Sequence, residues 1–389
     1  MKKIPLLLLI IFCASKSVHA QDDRRPITTG VPILLIAADA RASGMGDMGV
    51  ATPVDAFSQQ WNAAKYVFSE VKTGVGLSYT PYLRELVNDI NLANLVYFNR
   101  INERSAFAAS LRYFALGEVE LRETADQVPR IASPNEFALD LSYSLRLSEQ
   151  FSMAVTGRYI NSQLRIPTGI AEANGASSFG ADISMFYRSE EKFYKDFNGR
   201  WRGGLAISNI GPKIKYDDAG QENFLPTNFK AGAGFDFILD ASNTIGVHLE
   251  FNKLLVPTPP AFQIDEAGNL TPESRQAFLD YNRQNEFEGI FSSFSDAPDG
   301  FSEELKEITW ALGAEYWFED SFAARLGYFN ESEEKGFRQF VTMGLGFKFN
   351  AIVIDASYLF STTTVQKPLE GTLRFGLTFN IGDNTYIEY

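Results

Sequence analysis

The sequence predicts an all-β fold: a 14-stranded antiparallel transmembrane β-barrel that carries an N-terminal hatch or plug segment. Apolar and polar side chains alternate with a period of two along most of the chain, as in residues 137–147. Successive side chains of a strand face opposite sides, so each such segment has one apolar and one polar face. The alternating segments are also long, and the connections between them are alternately short and long, as in bacterial outer-membrane barrels.

Residues 1–20 are predicted to be a cleavable signal peptide and not part of the fold. Lys2 and Lys3 precede the short apolar run 6–12, and residues 18–20 resemble a signal-peptidase site. The apolar run is too short to cross a bilayer as a helix. The mature protein is therefore expected to be exported.

Composition disfavours several classes of function. The chain holds 35 basic and 48 acidic residues, a net charge of −13, which disfavours nucleic-acid binding because phosphate ligands need a basic surface. Cleavage after residue 20 would remove the only cysteine, Cys13, and one of the two histidines. The remaining His248 lies within an alternating segment and is interpreted as a polar wall residue. We therefore expect no enzymatic activity, no cofactor and no metal site.

Residues 21–70 precede the first predicted strand and are assigned to the hatch or plug. Positions 27–70 are small, glycine-rich and apolar, and such a segment can fill a lumen that fourteen strands leave too wide for wall side chains alone. A disordered periplasmic tail is the alternative. The candidate hatch residues are Gly44, Gly46, Gly49, Trp61 and Asn62.

The three glycines also match the G-x-G-x-x-G pattern of dinucleotide-binding folds. That pattern needs a preceding strand and a following helix within a βαβ unit. Here Pro53 follows soon after the glycines, and the sequence has no parallel-sheet pattern. A compact glycine-rich turn within the plug is therefore the favoured interpretation.

Residues 71–389 are assigned to the barrel. Most of the predicted strands have about ten residues or more, as tilted membrane strands of about nine to eleven residues do, whereas soluble strands most often have about five or six. The predicted strands are 73–81, 90–99, 104–116, 136–147, 150–165, 176–189, 200–210, 228–240, 243–254, 307–319, 321–331, 337–349, 351–363 and 371–381.

Charges within the predicted strands share the parity of small and polar residues, whereas bulky aliphatics such as Leu139 and Val155 take the other parity. A lipid-facing Arg or Lys at the bilayer midplane would cost roughly 2–4 kcal/mol, so the charged parity is expected to face the lumen. Lys253 lies on the apolar parity at a strand end and is expected to reach water there. The charges on the inward parity are Arg112, Asp140, Arg158, Asp182, Arg202, Lys230, Asp236, Glu250, Glu315, Arg325, Lys348, Asp355 and Arg374.

Tight connections, as at 241–242, alternate with longer ones, as at 211–227. The longest connection, 255–306, is predicted to be an extracellular loop in which Thr271 begins a capped helix that runs towards Asn285. Loops of this length are usually functional or disordered, and the aromatic residues of this one indicate a packed or partner-binding loop. The candidate partner-binding residues are Phe278, Tyr281, Phe287, Phe291 and Phe294.

Two stretches of the N-terminal segment carry a family resemblance. Residues 40–51 read Ala-Arg-Ala-Ser-Gly-Met-Gly-Asp-Met-Gly-Val-Ala, and residues 60–64 read Gln-Trp-Asn-Ala-Ala. Both resemble the N-terminal hatch of FadL-type outer-membrane barrels, and within that group the chain is similar to the PorV family over essentially its whole mature length. The family pattern has Asn-Pro-Ala where this chain has Asn62-Ala63-Ala64.

The resemblance implies a function that residue spacing does not reveal. PorV-family proteins are non-enzymatic outer-membrane components of the type IX secretion system of Bacteroidota. They associate with a SprA-like translocon barrel, bind the C-terminal signal domain of exported cargo, and deliver that cargo to a surface attachment complex that includes a sortase. For this chain the resemblance implies the same partners, outer-membrane lipid around the barrel, and periplasmic N- and C-termini.

A FadL-type channel for the uptake of hydrophobic small molecules is the alternative function. It would need an apolar pocket in the lumen and a kinked strand near the hatch. The many charges on the inward parity favour a wet or salt-bridged lumen and count against this alternative.

Overall fold

A computed structural model describes residues 25–84, 87–122, 126–164, 175–216, 222–261, 263–265, 269–362 and 371–382. The predicted signal peptide, residues 1–20, lies outside the described residues. Fourteen long strands form the body of the molecule. They are β1 Thr73–Pro81, β2 Ile90–Arg100, β3 Ser105–Leu116, β4 Asn135–Arg146, β5 Phe151–Gln163, β6 Ala176–Arg188, β7 Phe197–Ile210, β8 Asn228–Ile238, β9 Asn243–Leu254, β10 Ile308–Phe318, β11 Phe322–Asn330, β12 Gln339–Phe349, β13 Ile352–Ser361 and β14 Leu373–Ile381.

The strands form one closed antiparallel barrel, which confirms the predicted fold. Each strand pairs with its neighbours in sequence, and β14 pairs with β1, where Leu77 lies opposite Leu377. Closure leaves no unpaired sheet edge, as a sheet surrounded by lipid requires. Shorter strands at 119–121, 130–132, 192–194, 214–215 and 222–223 belong to the connections.

The two faces of the wall have the predicted chemistry. All of the charged residues expected to face inward are buried, except Lys230 and Lys348, which are half-buried. On the opposite parity, Leu139 and Val155 are 44% and 59% exposed. The outer wall is therefore apolar and the lumen is charged.

Lys253 does not reach water, contrary to expectation. Its side chain is buried, and its Nζ lies 3.0 Å from Glu304 and 2.7 Å from Glu307. The long loop that follows β9 folds back over the strand end and supplies both carboxylates. The positive charge of Lys253 is therefore compensated by ion pairs with Glu304 and Glu307, and not by water.

Short and long connections are segregated to the two ends of the barrel. Consecutive antiparallel strands alternate in direction, so alternate connections meet at the same rim. Connections of a few residues, such as 239–242 and 350–351, lie at what we call the short-turn rim, together with the start of β1 and the end of β14. Longer connections, such as 211–227 and 255–307, lie at the opposite end, the long-loop rim.

Three helices give the long loop its structure: α3 Pro272–Arg283, α4 Glu286–Ser292 and α5 Phe301–Lys306. The Thr271 side chain accepts a hydrogen bond of 3.2 Å from Ser274 N, which forms the predicted cap of α3. Asn285, the expected end of this helix, instead caps α4 by accepting from Glu288 N at 2.9 Å. No helix among the described residues is long and apolar enough to cross a bilayer.

Residues 25–70, which we call the N-terminal segment, lie within the barrel. The regular secondary structure of the segment consists of the 3₁₀ helices Pro32–Leu35 and Ala63–Phe68 and the single helical turns α1 Ala40–Ser43 and α2 Ser58–Trp61. Serine hydroxyls of the wall donate to backbone carbonyls of the segment: Ser144 Oγ to Ala63 O at 2.7 Å and Ser152 Oγ to Ala64 O at 2.7 Å. The segment therefore fills the lumen as a packed element.

Candidate functional site

The glycines of the N-terminal segment lie where a larger side chain would meet the wall or another part of the segment. Gly46 has a φ of 84°, and its N–H donates to Thr342 Oγ1 of β12 at 2.9 Å. A Cβ at Gly44 would lie 3.0 Å from Gly344 Cα, and one at Gly49 would lie 2.3 Å from Trp61 Cγ. The G-x-G-x-x-G stretch is thus a compact turn that packs against the wall and against Trp61, without the βαβ context of a dinucleotide site.

Trp61 and Asn62 hold this turn in place. Trp61 Nε1 donates to Asp39 Oδ2 at 2.7 Å, while Asp39 Oδ1 accepts from Ala42 N at 2.8 Å and caps α1. Asn62 Nδ2 donates to Val50 O at 2.9 Å and to Met185 O of the wall at 2.8 Å. The structure therefore brings all five candidate hatch residues into one packed unit.

Wall residues that sequence reasoning did not single out as partners complete the unit. The Glu250 carboxylate of β9 accepts from Gly49 N and Val50 N, each at 2.8 Å through Oε2. Two adjacent amides on one carboxylate oxygen make a charge-assisted contact, which is stronger than a neutral one. The sequence pattern predicts that Glu250 faces the lumen. It does not predict the contacts with Gly49 and Val50, which are 201 and 200 positions earlier in the chain.

A buried ionic network joins the N-terminal segment to strands β10, β11 and β13 of the wall. Arg41 donates to both oxygens of Glu315, at 2.9 and 2.8 Å, and to Asp55 at 3.0 Å. Arg325 shares Glu315 at 2.7 Å and also reaches Asp355 at 2.7 Å. Removing one partner of a buried pair typically costs about 3–5 kcal/mol, because the remaining charge stays desolvated. Arg41 is therefore a principal anchor of the segment.

Two further ionisable groups of the segment are perturbed by burial. Burial, with the nearby Asp55 carboxylate, raises the pKa of Asp39 to about 6. Burial lowers the pKa of Lys65 to about 8, so this side chain still holds its proton near neutral pH. Lys65 Nζ then donates to Gly49 O at 2.8 Å and to Thr52 Oγ1 at 3.2 Å. Both groups serve the packing of the glycine turn.

At the long-loop rim the structure divides the five candidate aromatic residues into two sets. Phe278 and Tyr281 are half-buried, and the Tyr281 ring contacts Phe224 edge-on at 6.0 Å. Phe287, Phe291 and Phe294 are instead 67%, 76% and 54% exposed. Only the second set is available to a partner.

Two residues that sequence reasoning missed join the exposed set. Phe301 and Leu305 of α5 are 76% and 52% exposed. Their spacing of four residues, like that of Phe287 and Phe291, places them on one face of a helix and was the available signal. We call these residues the aromatic surface: Phe287, Phe291, Phe294, Phe301 and Leu305.

A buried cluster of charges fixes α5 against the rim. Lys335 Nζ lies 2.6 Å from Glu303 and 2.9 Å from Glu307, and Lys253 pairs with Glu304 and Glu307. Burial alone would raise the pKa of Glu307, but hydrogen bonds from Lys253, Lys335 and Thr258 hold the pKa below its ordinary value. We call these five charged residues the rim cluster: Lys253, Glu303, Glu304, Glu307 and Lys335.

Neither region has the arrangement of a metal site. Within the ranges that the structure describes, no three or more His, Cys, Asp or Glu side chains are grouped so that they could hold a metal ion. The N-terminal segment instead offers packing and hydrogen bonds, and the long loop offers exposed apolar side chains.

Comparison with known proteins agrees with this geometry. The family model for "Type IX secretion system protein PorV" matches residues 19–261, more than half of the chain. No curated protein shows a significant match to the chain.

Solved structures of similar architecture include hydrocarbon channels and toluene transporters. The Pseudomonas putida toluene transporter TodX has 11% identity and a TM-score of 0.50, with 90% of this chain and 100% of that chain covered. The Ralstonia pickettii toluene transporter TbuX has 11% identity and a TM-score of 0.47, covering 90% and 99%. The CymD monoaromatic hydrocarbon channel has 13% identity and a TM-score of 0.49, also covering 90% and 99%. At such identities the likeness concerns the fold alone.

The closed barrel, its apolar outer wall and the family match together indicate that this protein is located in the outer membrane. The family match also includes the whole N-terminal segment with its glycine turn. The chain belongs to the PorV family of type IX secretion system proteins.

Proposed function

We propose that this protein is a non-enzymatic carrier within the type IX secretion system. It binds the C-terminal signal domain of exported cargo at a SprA-like translocon barrel and shuttles that cargo to the surface attachment complex with its sortase. The long-loop rim faces the outside of the cell, and the end of β14 faces the periplasm. The N-terminal segment begins at the long-loop rim, where Arg25 N donates to Glu334 O at 2.9 Å, so a periplasmic N-terminus is not part of this proposal. Family membership supports the role in secretion.

The aromatic surface is the observation that carries the binding role. Exposed aromatic residues at short spacing on a folded loop, such as Phe287, Phe291 and Phe294, can anchor a protein–protein contact, because aromatic anchors supply most of the energy of such contacts. The rim cluster beneath α5 orders this loop before a partner arrives, which lowers the entropic cost of binding. The aromatic surface is therefore our proposed contact for cargo or translocon.

The N-terminal segment acts as a hatch that keeps the lumen closed during this work. A FadL-type channel would need an apolar path past the hatch. A lumen cavity of about 260 Å³ near the short-turn rim is lined by charged side chains such as Arg41, Arg325 and Asp355 and by aromatic ones such as Phe68 and Phe98. The charged part of this lining counts against a purely apolar path.

The test is a triple variant, Phe287→Ser, Phe291→Ser and Phe294→Ser, purified from the native membrane under mild conditions. We expect recovery of cargo, or of cargo and translocon together, to fall at least about tenfold, since loss of about 1.4 kcal/mol of binding energy has that effect. Barrel folding should be unchanged, because the replaced side chains point into solvent.

The matched control is Phe193→Ser. Phe193 is 77% exposed, but it lies in the hairpin at the short-turn rim. This variant should co-purify both partners at the wild-type level. Wild-type recovery of cargo and translocon by the triple variant would overturn the proposed role of the aromatic surface.

A further inference from the structure

A small polar cavity of about 30 Å³ lies between the N-terminal segment and the barrel wall. The segment contributes Trp61 to its lining, and the wall contributes Arg112, Arg158, Asn228 and Lys230. The volume exceeds the roughly 10–15 Å³ that one water molecule needs, so the cavity has room for one small occupant.

Arg112 borders this cavity with unused donors. The side chain is fully buried, and among the described residues its ion pair joins Nη2 to Asp140 Oδ2 at 3.3 Å. Its Nε and Nη1 have no hydrogen-bond partner among the described residues. Buried donors without partners are costly, particularly when they carry charge, and they require an acceptor.

The acids near the cavity are already engaged. Arg158 binds Asp140 at 2.6 Å through Nε and Asp182 at 2.9 Å through Nη2. The two carboxylates therefore compensate mainly Arg158. Arg112 keeps only its long contact with Asp140.

Lys230 is the third cation of the lining. Its Nζ lies 4.7 Å from the centre of the Trp61 ring, and no ion pair joins it to any described residue. On the next strand, Glu250 gives Oε2 to the amides of Gly49 and Val50, while its Oε1 accepts no hydrogen bond from Lys230. The lining therefore holds three cations: Arg112 and Arg158 pair with Asp140 and Asp182, whereas Glu250 acts on Lys230 without a hydrogen bond to it.

We propose that this cavity binds one monovalent inorganic anion, chloride in the cell. Chloride is only slightly larger than water, accepts N–H donors from several directions, and gives Nε and Nη1 of Arg112 the acceptor that they lack. Asn228 presents Oδ1 without a partner in the observed orientation, and a half-turn of its amide presents Nδ2 as a further donor. A water molecule has fewer acceptor positions than the donors of Arg112 and Lys230 can use.

The anion would act as a tie between the hatch and the wall. Trp61 and the neighbouring Gln60 belong to the segment, whereas Arg112 and Lys230 belong to β3 and β8. A ligand that binds only the assembled cavity stabilises the segment in its closed position by mass action. This inference does not depend on the proposed function in secretion.

Crystals of the intact protein grown in bromide give the direct test. We expect an anomalous peak at the cavity, within hydrogen-bonding distance of Arg112 and Lys230. Ordinary water density with no anomalous signal at that place would overturn the proposal. This measurement uses the wild-type chain, so it does not depend on whether any variant folds.

Thermal unfolding in detergent gives a second test, with chloride replaced by gluconate at constant ionic strength. The wild-type melting temperature should rise with chloride by the same increment for each roughly tenfold increase above the dissociation constant. Arg112→Gln and Lys230→Gln should lose this dependence. Lys348→Gln removes an equal charge from the pair with Asp320 at the short-turn rim and should retain it. Equal chloride dependence in all four proteins would contradict a site at this cavity.

Discussion

Gly327 lies on the inner face of β11, where the backbone of the N-terminal segment passes. A Cβ at this position would lie 2.1 Å from both Gly46 N and Met45 C, closer than any real contact. We expect Gly327→Ala to destabilise the protein by about 1–3 kcal/mol, the usual range for overpacking, and to loosen the segment. Urea unfolding and proteolysis of the segment would measure both effects.

Gly157 supplies the control for that substitution. It also lies in the middle of a wall strand, but a Cβ there would meet no atom within 4 Å. Gly157→Ala should leave the unfolding midpoint and the protease resistance unchanged. Similar losses in both variants would mean that strand conformation, and not contact with the segment, explains the effect of Gly327→Ala.

At the residue scale, the sequence predicts which face of the wall a side chain lies on better than which residue it contacts. Parity assigns Arg158 and Glu315 to the lumen because side-chain direction in a strand follows directly from position. It does not reveal that Arg41 binds Glu315, since those residues are 274 positions apart. It also misplaces Lys253 in water, because the carboxylates that bury it come from a loop whose path the alternation does not encode.

At the element scale the long loop should depend on pH through the rim cluster. Burial opposes ionisation of Glu303 and Glu307, yet hydrogen bonds from Lys335 and, for Glu307, from Lys253 hold both pKa values below the ordinary 4.5. A carboxylate with a lowered folded pKa stabilises the fold above its ordinary pKa and loses this effect as pH falls through the folded value. Hydrogen exchange in α4 and α5, corrected for intrinsic rates, should therefore accelerate below about pH 4.5.

Lysine variants separate this effect from general acid unfolding. Lys335→Met should cost about 3–5 kcal/mol of local stability at neutral pH, because it leaves Glu303 and Glu307 short of a buried partner. Lys306→Met breaks an exposed pair with Glu334 and should change little. Unchanged exchange of α5 in Lys335→Met would show that the rim cluster does not hold the loop.

Elements themselves were predicted closely, and their connections less so. The fourteen strands agree with prediction to within a few residues, for example 150–165 against Phe151–Gln163. Strand length and alternation are local properties, so a single sequence contains them. The helices α4 and α5 were not predicted, because short helices in a loop are stabilised mainly by tertiary contacts such as the rim cluster.

At the scale of the whole molecule, orientation in the membrane is open to direct measurement. Ser295 is exposed at the long-loop rim, and Glu149 is exposed at the short-turn rim. The only natural cysteine, Cys13, lies in the predicted signal peptide. A membrane-impermeant maleimide should label Ser295→Cys in intact cells and Glu149→Cys only after the outer membrane is permeabilised. The reverse pattern would overturn the proposed orientation.

The path of the N-terminal segment also has a consequence for the order of folding. The segment is synthesised before any strand, yet its partners include Glu315 and Thr342, which are 274 and 296 residues later than Arg41 and Gly46. Contacts of such large sequence separation form late, because long chain closures must precede them. We therefore expect the first part of the chain to become ordered last, after β1 has met β14. Until then, the lumen charges remain hydrated, and we expect a barrel arrested during insertion to conduct ions through the space that the N-terminal segment later fills.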